Sequence, residues 1–256
     1  MVQLVNLQGK RGLIVGIANE SSIATGCAEA FSSAGASLAA SYINAKAKPF
    51  TDRVTDRLEV DWTFPCDVCV PGELEALFAR AEHEWGELDF VLHSIAFAPK
   101  DDLHGRVVDC SAEGFALAMD VSCHSFIRMA KLAERLMPNG GALLTVTFYG
   151  SQRVVEHYNL MGPVKAALES ATRYLAAELG PKQIRVNAIS PGPISTRAAR
   201  GINSFDELLE RAIEAPQRTL TDISDVGALA AFLVSDAAQR ITGTIIPVDG
   251  GQHLLA

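Results

Sequence analysis

The segment YNLMGPVK, residues 158–165, holds the residue types whose spacing is best suited to chemistry. Tyr158 and Lys165 are seven positions apart, about two helical turns, so on a helix both side chains would point the same way, roughly 10 Å apart along the axis. A phenol near an ammonium group can donate a proton, because the cation favours the phenolate that is left behind. A helix with one packed tyrosine and one exposed lysine has the same spacing, so the residues alone leave both interpretations open.

The elements that must position this pair alternate between strands and helices. Short apolar runs rich in β-formers are separated by stretches with helical spacing, such as 72–86 and 164–180. This order predicts one doubly wound α/β domain over residues 1–256, with a parallel sheet covered on both faces. The seven predicted strands are 12–16, 37–42, 63–68, 89–96, 142–148, 184–190 and 244–249.

Residues 196–221 differ from the rest of the chain. They follow a Pro-Gly-Pro turn, mix arginine with acidic residues and show no strand pattern. We therefore predict an insertion over the carboxyl edge of the sheet, which is the edge where ligands bind in such folds.

The stretch LIVGIANESSIATGCAEAF, residues 13–31, has the strand, tight turn and helix of a dinucleotide-binding loop, although two of the three usual glycines are missing. A phosphate there needs free backbone N–H groups at a helix start and no obstructing side chain. An ordinary turn between a strand and a helix is the alternative. The residues that suit a phosphate are Gly16 for the turn, small Ala18, Ser21 or Ser22 as the helix cap, and Ala24 and Gly26 for close packing of the helix on the sheet.

Later strand ends favour a nucleotide. Asp67 follows the third strand, where its carboxylate could accept a hydrogen bond from an adenine amino group or cap a turn. The small residues at 93–96 end the fourth strand, and a ring packed on the backbone requires small residues. At the end of the sixth strand, Ile194 and Thr196 could border a nicotinamide amide.

Composition excludes several classes of protein. With 48% hydrophobic and 20% charged residues, the 256-residue chain can form one well-packed domain. No run approaches the roughly 18 apolar residues of a membrane span, and the first ten residues lack a secretory apolar block, so we expect a cytoplasmic protein without membrane contact. A net charge of -8 disfavours binding to nucleic acid.

Five cysteines in a chain without an export signal indicate reduced thiols. Cys66 and Cys69 form a CxxC, but no second Cys or Cys/His pair has zinc-site spacing. We therefore expect no metal.

The motifs together resemble the short-chain dehydrogenase/reductase family, and specifically its enoyl-acyl-carrier-protein reductase branch. SSIA at 21–24 is similar to that branch's variant of the glycine loop, and CDV, HSIAFAP, YNLMGPVKAALE, RVNAISPGPIST and VDGG follow in matching order over nearly the whole chain. In the general family the tyrosine and lysine are four residues apart. Here Gly162 occupies that place, and the seven-residue spacing is typical of the enoyl reductases.

The resemblance implies a Rossmann-type domain with a helical substrate-binding lid, assembled as a homotetramer, that transfers a hydride from NADH to the β-carbon of a 2-enoyl thioester. It implies that Tyr158 hydrogen-bonds the thioester oxygen as it becomes an enolate, and that Lys165 holds the nicotinamide ribose. The implied cofactor contacts are Gly16, Ala18, Ser22, Ile23, Asp67, Val68, Ser94, Ile95, Ala96, Lys165, Ile194 and Thr196. The implied walls of the acyl pocket are Phe97, Tyr149, Met161, Ile202 and Phe205, each of which also suits an ordinary core.

The chain departs from the branch at three places. Phe148 stands in the catalytic region where bacterial members commonly have a second tyrosine, which removes one polar contact. Ile43 stands near the expected adenosine ribose and cannot pair a phosphate, so we expect NADH, while the nearby lysines leave NADPH open. Asp206 and Glu207 stand on the expected lid helix where basic residues would attract an acidic carrier protein, so coenzyme A is an alternative carrier.

The sequence leaves two other functions as alternatives. A related carbonyl reductase of a secondary pathway is compatible with Phe148 and the altered lid. A nucleotide-binding regulator without turnover is compatible with the fold, because fold alone does not fix function.

Overall fold

The computed structural model describes residues 5–197, 199–201 and 205–255. Seven strands form one parallel sheet within these residues, which confirms the predicted α/β architecture. The strands are β1 (Arg11–Val15), β2 (Ser37–Tyr42), β3 (Trp62–Pro65), β4 (Phe90–His93), β5 (Gly141–Val146), β6 (Ile184–Pro191) and β7 (Ile245–Val248). Their spatial order is β3-β2-β1-β4-β5-β6-β7.

The helices cover both faces of this sheet. They are α1 (Ile23–Ser33), α2 (Lys48–Arg57), α3 (Glu73–Trp85), α4 (Lys100–His104), α5 (Ala112–Met119), α6 (Ser125–Leu136), α7 (Met161–Leu179), α8 (Phe205–Ala212) and α9 (Ile223–Val234). A π-helical turn, Asp120–His124, leads into α6, and short 3-10 turns include Tyr149–Ser151, Ala199–Gly201 and Gln252–Leu254.

Two apolar cores lie on opposite faces of the sheet. Because successive strand residues point to opposite faces, neighbours in β1 separate into different cores. Leu13 packs in the core that contains Phe126 of α6, whereas Ile14 packs in the core that contains Phe31 of α1 and Val226 of α9. Because every strand pair in the sheet is parallel, the carboxyl ends of the strands lie at one edge, between the two cores.

The strand order reverses between β1 and β4, which makes the crevice beyond their carboxyl ends the expected ligand position of a doubly wound fold. Gly16 follows β1 and Ser94 follows β4. The Ser94 N–H donates to the Val15 carbonyl oxygen at 2.8 Å, so the two strand ends remain in contact at this crevice.

Gly26 has a different packing role from the one predicted. A Cβ atom there would lie 2.2 Å from the carbonyl oxygen of Ile223, and one on Gly227 would lie 2.2 Å from the carbonyl oxygen of Gly26. The glycine therefore lets α1 approach α9, rather than the sheet. Ala24 is fully buried in the core shared by α1 and α9.

Between β6 and α9, the described residues contain the 3-10 turn Ala199–Gly201 and helix α8, joined to the flanking elements by turns and loops, and the described part of 196–221 contains no strand. On α8, Phe205, Leu208 and Ala212 are buried while Asp206 and Glu207 are exposed, so the helix is amphipathic. Among the helices of the described residues, none has the length and apolar character to cross a membrane.

Candidate active site

Tyr158 is buried in the turn that precedes α7. Its side chain is 7% exposed, and its ring packs on Phe148 with the centroids 4.9 Å apart. A Cβ atom on Gly150 would lie 2.6 Å from the Tyr158 ring, so this glycine lets the ring pack against the chain. The ring of Tyr158 therefore packs on the residues that follow β5.

The expected placement of Tyr158 and Lys165 on two turns of one helix is wrong. Helix α7 begins at Met161, and His157 and Asn159 on either side of Tyr158 have left-handed φ angles of 65° and 42°. The backbone around the tyrosine is thus a tight turn, stabilised by a hydrogen bond from Asn159 Nδ2 to the Leu103 carbonyl oxygen at 2.9 Å.

Lys165 lies in the second turn of α7 with its ammonium group buried. Its side chain is 6% exposed, and Nζ donates to the Val146 carbonyl oxygen at 2.7 Å. Burial lowers the pKa of Lys165 from 10.5 to about 8. Since Val146 ends β5 and Phe148 follows two residues later, Lys165 and Tyr158 both lie against the carboxyl end of this strand.

The pKa of Tyr158 is raised well above its ordinary value, first by burial and then by the negative charge of Glu169. This direction is opposite to the one expected from a neighbouring ammonium group. The phenol therefore keeps its proton at neutral pH and can act as a hydrogen-bond donor.

Glu169 is a buried residue of the site that the sequence reasoning missed. It is 4% exposed, and its Oε1 accepts hydrogen bonds from Thr147 Oγ1 at 2.9 Å and Ser151 Oγ at 2.5 Å. These bonds fix the chain on both sides of Phe148. Its position four residues after Lys165, on the same helix face, was the available signal.

Gly16 makes the tight turn that the sequence predicted after β1, and its backbone passes close to the residue that follows β4. Gly16 has a φ of 133°, and a Cβ atom there would lie 2.2 Å from the Ser94 carbonyl oxygen. Ser22 is the N-cap residue of α1, but its Oγ accepts from the backbone N–H groups of Ala18 and Asn19 at 3.1 and 3.0 Å instead of capping the helix. The first N–H groups of α1, beginning at Ile23, thus have no side-chain cap.

At the end of β3, Asp67 caps a turn. Its Oδ1 accepts a hydrogen bond from the Cys69 N–H at 2.9 Å, which is the turn cap considered as the alternative to adenine binding. A hydrogen bond from Asp67 to adenine stays a prediction. Val68 is buried, and its carbonyl oxygen accepts from Arg128 Nη2 at 2.7 Å. Arg128 of α6 was not identified from the sequence.

The remaining expected cofactor residues follow β4 and β6 at the same edge. Ser94, Ile95 and Ala96 lie directly after His93, the last residue of β4. After β6, the Thr196 N–H donates to the Ile194 carbonyl oxygen at 2.7 Å. The structure therefore brings the predicted strand-end residues to one edge, while their contacts with a cofactor remain predictions.

The predicted pocket walls differ in burial and in their neighbours, and their role in binding an acyl chain stays a prediction. Met161 packs with Tyr158, Phe148 and Leu160 in a small apolar cluster. Tyr149 also contacts Phe148, with the ring centroids 4.5 Å apart, and lines a cavity beside α8. Phe97 is 51% exposed and Phe205 is 8% exposed, whereas Ile202 lies outside the described residues.

The π-helical turn before α6 holds the chain after β4. Ser122 Oγ accepts from the Phe97 N–H at 3.0 Å and donates to the Phe97 carbonyl oxygen at 3.2 Å. π-turns are often found at functional sites, but no pattern in the sequence pointed to this one.

His93 forms a fully buried polar link below this edge. Its ring nitrogens lie 2.8 Å from Thr145 Oγ1 and 2.8 Å from Ser125 Oγ. Because Ser125 donates its own proton to the Val121 carbonyl oxygen at 2.7 Å, Nε2 of the imidazole must be the donor to Ser125. Burial, followed by the charge of Lys165, lowers the pKa of His93 to about 3, so the ring is neutral.

The CxxC pair has the character of ordinary thiols. Cys66 is buried, and burial raises its pKa to about 12; the pKa of exposed Cys69 is also raised, first by burial and then by Asp67. No group of three or more metal-ligating side chains occurs among the described residues.

Comparison with known proteins shows to which family this chain belongs. The family model described as enoyl-(acyl carrier protein) reductase matches residues 16–253 of this chain. An NADH enoyl-[acyl-carrier-protein] reductase from Rhizobium meliloti is 44% identical over 96% of this chain and 91% of its own length, and one from Bacillus cereus is 44% identical over 97% and 98%. A crystal structure of the Bacillus cereus reductase with NADP+ and indole naphthyridinone has a TM-score of 0.95 at 43% identity, covering 98% of both chains. The reductase of Anaplasma phagocytophilum in complex with NAD has a TM-score of 0.93 at 44% identity, covering 97% of this chain and 95% of that one. With this similarity over nearly its whole length, the chain belongs to the enoyl-(acyl carrier protein) reductase family.

Proposed function

We propose that this protein uses NADH to reduce the 2,3 double bond of a 2-enoyl thioester in fatty-acid biosynthesis. The observation that carries the proposal is a protonated, buried phenol and a buried ammonium group at the carboxyl end of β5, in a chain of this family. Tyr158 and Lys165 are these two groups.

The glycine loop fits a dinucleotide. Glycine at position 16 lets the loop after β1 pack directly against the Ser94 carbonyl oxygen after β4, and the uncapped N–H groups at the start of α1 can receive a phosphate. NADH, when bound, supplies the hydride for the β-carbon of the substrate. Ser94, Ile95, Ile194 and Thr196 would border its nicotinamide end.

Lys165 would hold the nicotinamide ribose through its ammonium group. Below about pH 8 the group is charged in the folded chain. Its buried position removes competing water, which strengthens a hydrogen bond from the cation to a ribose hydroxyl.

Tyr158 would donate a hydrogen bond to the thioester oxygen. Negative charge develops there only during hydride transfer, so the donor stabilises the transition state more than the bound substrate. Phe148 has no polar group and acts as a positioning residue, because its ring limits the rotation of the Tyr158 ring.

We favour NADH over NADPH because the apolar Ile43 follows β2, where a cation would be needed to pair a 2′-phosphate, while exposed Lys46 three residues later keeps NADPH as the alternative. Ile43 is 53% exposed at this position. Lys48 Nζ lies 2.8 Å from both carboxylate oxygens of Asp52 and also lies over the Tyr42 ring, so its charge is already paired.

The carrier of the thioester is an acyl carrier protein or coenzyme A. Asp206 and Glu207 give the exposed face of α8 a negative charge, which opposes an acidic carrier protein. Both acids also lie in the first turn of the helix, where they interact favourably with its dipole. The family resemblance further supports a homotetramer in the cytoplasm.

The test follows NADH consumption with a 2-enoyl thioester and, in parallel, with the matching 3-keto thioester. Reduction of the enoyl substrate supports the proposal. Preference for the ketone would identify the protein as a carbonyl reductase, a possibility that Phe148 motivates. Tight NADH binding without turnover of either substrate would indicate a nucleotide-binding regulator.

A further inference from the structure

A cavity of about 300 Å³ lies between α8, the segment that leads into Tyr158 and the C-terminal 3-10 turn. We call it the lid cavity. Val155 and Leu208 contribute apolar walls, while Tyr149 and Gln252 contribute polar groups. Its volume is at the lower end of the range for small-molecule sites.

Gln252 is the feature of the lid cavity that points to a ligand. Its side chain is 5% exposed, yet its Oε1 has no hydrogen-bond partner among the described residues. Its Nε2 makes one long contact of 3.4 Å, to the Tyr149 hydroxyl oxygen. A buried amide oxygen without a donor is costly, so a ligand that brings an N–H group would be stabilised here.

The lid cavity is adjacent to the proposed reaction centre. The Tyr149 ring contacts Phe148 with the centroids 4.5 Å apart, and Phe148 contacts Tyr158 at 4.9 Å. One aromatic ring thus separates the cavity wall from the phenol that would bind the thioester oxygen. Both the acyl chain and the arm on the thioester sulfur extend from the carbonyl carbon that carries this oxygen, so the polar and apolar groups of the cavity wall decide which of them suits the lid cavity.

The charges around the lid cavity favour an uncharged ligand. Glu156, Glu207 and Glu214 contribute to its lining. The guanidinium of Arg211, which also lines it, is already paired with Glu156 at 3.1 Å. A phosphate or carboxylate would therefore meet more negative than positive charge.

We propose that the lid cavity binds the pantetheine arm of the thioester substrate, through hydrogen bonds between its amide groups and Gln252 and Tyr149. This inference rests on the proposed function. Pantetheine is uncharged, carries amide N–H groups and is common to coenzyme A and acyl carrier protein, so its recognition is independent of the carrier. An acyl chain would leave Oε1 of Gln252 unpaired.

The experiment compares the same short 2-enoyl group on N-acetylcysteamine, on pantetheine and on coenzyme A. For the native protein, kcat/KM should be about tenfold or more higher with pantetheine than with N-acetylcysteamine. Coenzyme A should give no further gain, because its phosphates lie outside a cavity that does not attract them.

Two variants test whether the preference for the pantetheine thioester comes from the lid cavity. Gln252→Leu keeps the size of the side chain and removes its amide, and Tyr149→Phe keeps the ring packing and removes the hydroxyl. Each should reduce the ratio of kcat/KM between pantetheine and N-acetylcysteamine thioesters about three- to tenfold. Tyr174→Phe, at a 70% exposed tyrosine of α7, is the matched control and should keep the native ratio.

The outcomes separate this inference from the proposed function. If the native protein reduces none of the thioesters, the proposed function is wrong and the inference fails with it. If it reduces all of them with equal kcat/KM, the inference alone is wrong. A change in preference for acyl length in the variants, with an unchanged ratio between arms, would place the acyl chain in the lid cavity instead. Tyr149→Phe provides this test even if Gln252→Leu does not fold.

Discussion

The buried ammonium group of Lys165 donates a hydrogen bond to the carbonyl oxygen of Val146 at 2.7 Å, which ties α7 to the carboxyl end of β5. The same burial lowers its pKa from 10.5 to about 8. The cation is therefore close to its titration point under ordinary conditions, unlike an exposed lysine.

NADH binding should weaken as the pH rises through about 8, because the folded protein loses the Lys165 ammonium there. Fluorescence titration of NADH on either side of this pH measures the effect. Lys165→Met should bind NADH weakly at both pH values. A native affinity that is constant across this range would contradict the assigned role of the ammonium group.

This group affects stability with the opposite sign. Its folded pKa lies below its unfolded value, so the unfolded chain binds more protons between about pH 8 and 10.5. The contribution of Lys165 to the free energy of unfolding therefore rises with pH across this window.

Tyr158→Phe should lower kcat/KM for a 2-enoyl thioester about 100- to 1,000-fold, the usual effect of losing one oxyanion donor. The phenyl ring preserves packing on Phe148, so the free energy of unfolding should change little. NADH consumption and denaturant unfolding measure the two quantities. Tyr158 would have no part in the chemistry if the variant retained native activity.

Gly16→Ala should lower NADH affinity about tenfold or more and the free energy of unfolding by about 1–3 kcal/mol. The new Cβ would lie 2.2 Å from the Ser94 carbonyl oxygen, at a φ of 133° that disfavours alanine. Isothermal titration and denaturant unfolding measure these changes. Gly180→Ala is the matched control, because its added Cβ would meet no atom of another segment within 4 Å and the φ there is -53°. Equal behaviour of the two variants would contradict this account of the loop.

Acid should destabilise the protein through His93. The folded pKa is about 3 against 6.5 in the unfolded chain, so only the unfolded chain gains this proton as the pH falls between those values. The free energy of unfolding should then fall by up to about 1.4 kcal/mol per pH unit from this residue. His93→Gln should reduce that slope in denaturant unfolding at a series of pH values. His83→Gln, at an exposed position of α3, should keep it.

Ile43→Arg should raise the ratio of kcat/KM for NADPH over NADH about tenfold or more, since a charge-assisted bond to the 2′-phosphate becomes available. Ile43→Gln adds a polar group without charge and serves as the control. If the arginine variant kept the native ratio, the adenosine ribose would lie elsewhere than at the end of β2.

The sequence by itself determined the strands, the crossovers and the family. Apolar runs and helical spacing are local properties, so all seven strands were found, and the spacing of Tyr158 and Lys165 led to the correct branch. The predicted strands 63–68, 89–96 and 142–148 were too long at their carboxyl ends. At these three ends the chain leaves the sheet and enters the candidate site. Because most residues just beyond the strands are still apolar or small, the sequence pattern did not show where each strand ends.

Only the tertiary structure decided how the site residues meet. The left-handed turn at Tyr158, the burial that raises its pKa and the hydrogen bonds of Glu169 depend on contacts with β5 and its following turn. The lid cavity brings Tyr149 and Gln252 together from positions 103 residues apart. Such contacts arise from packing between segments that are distant in sequence, so they cannot be predicted from a local pattern of residue types.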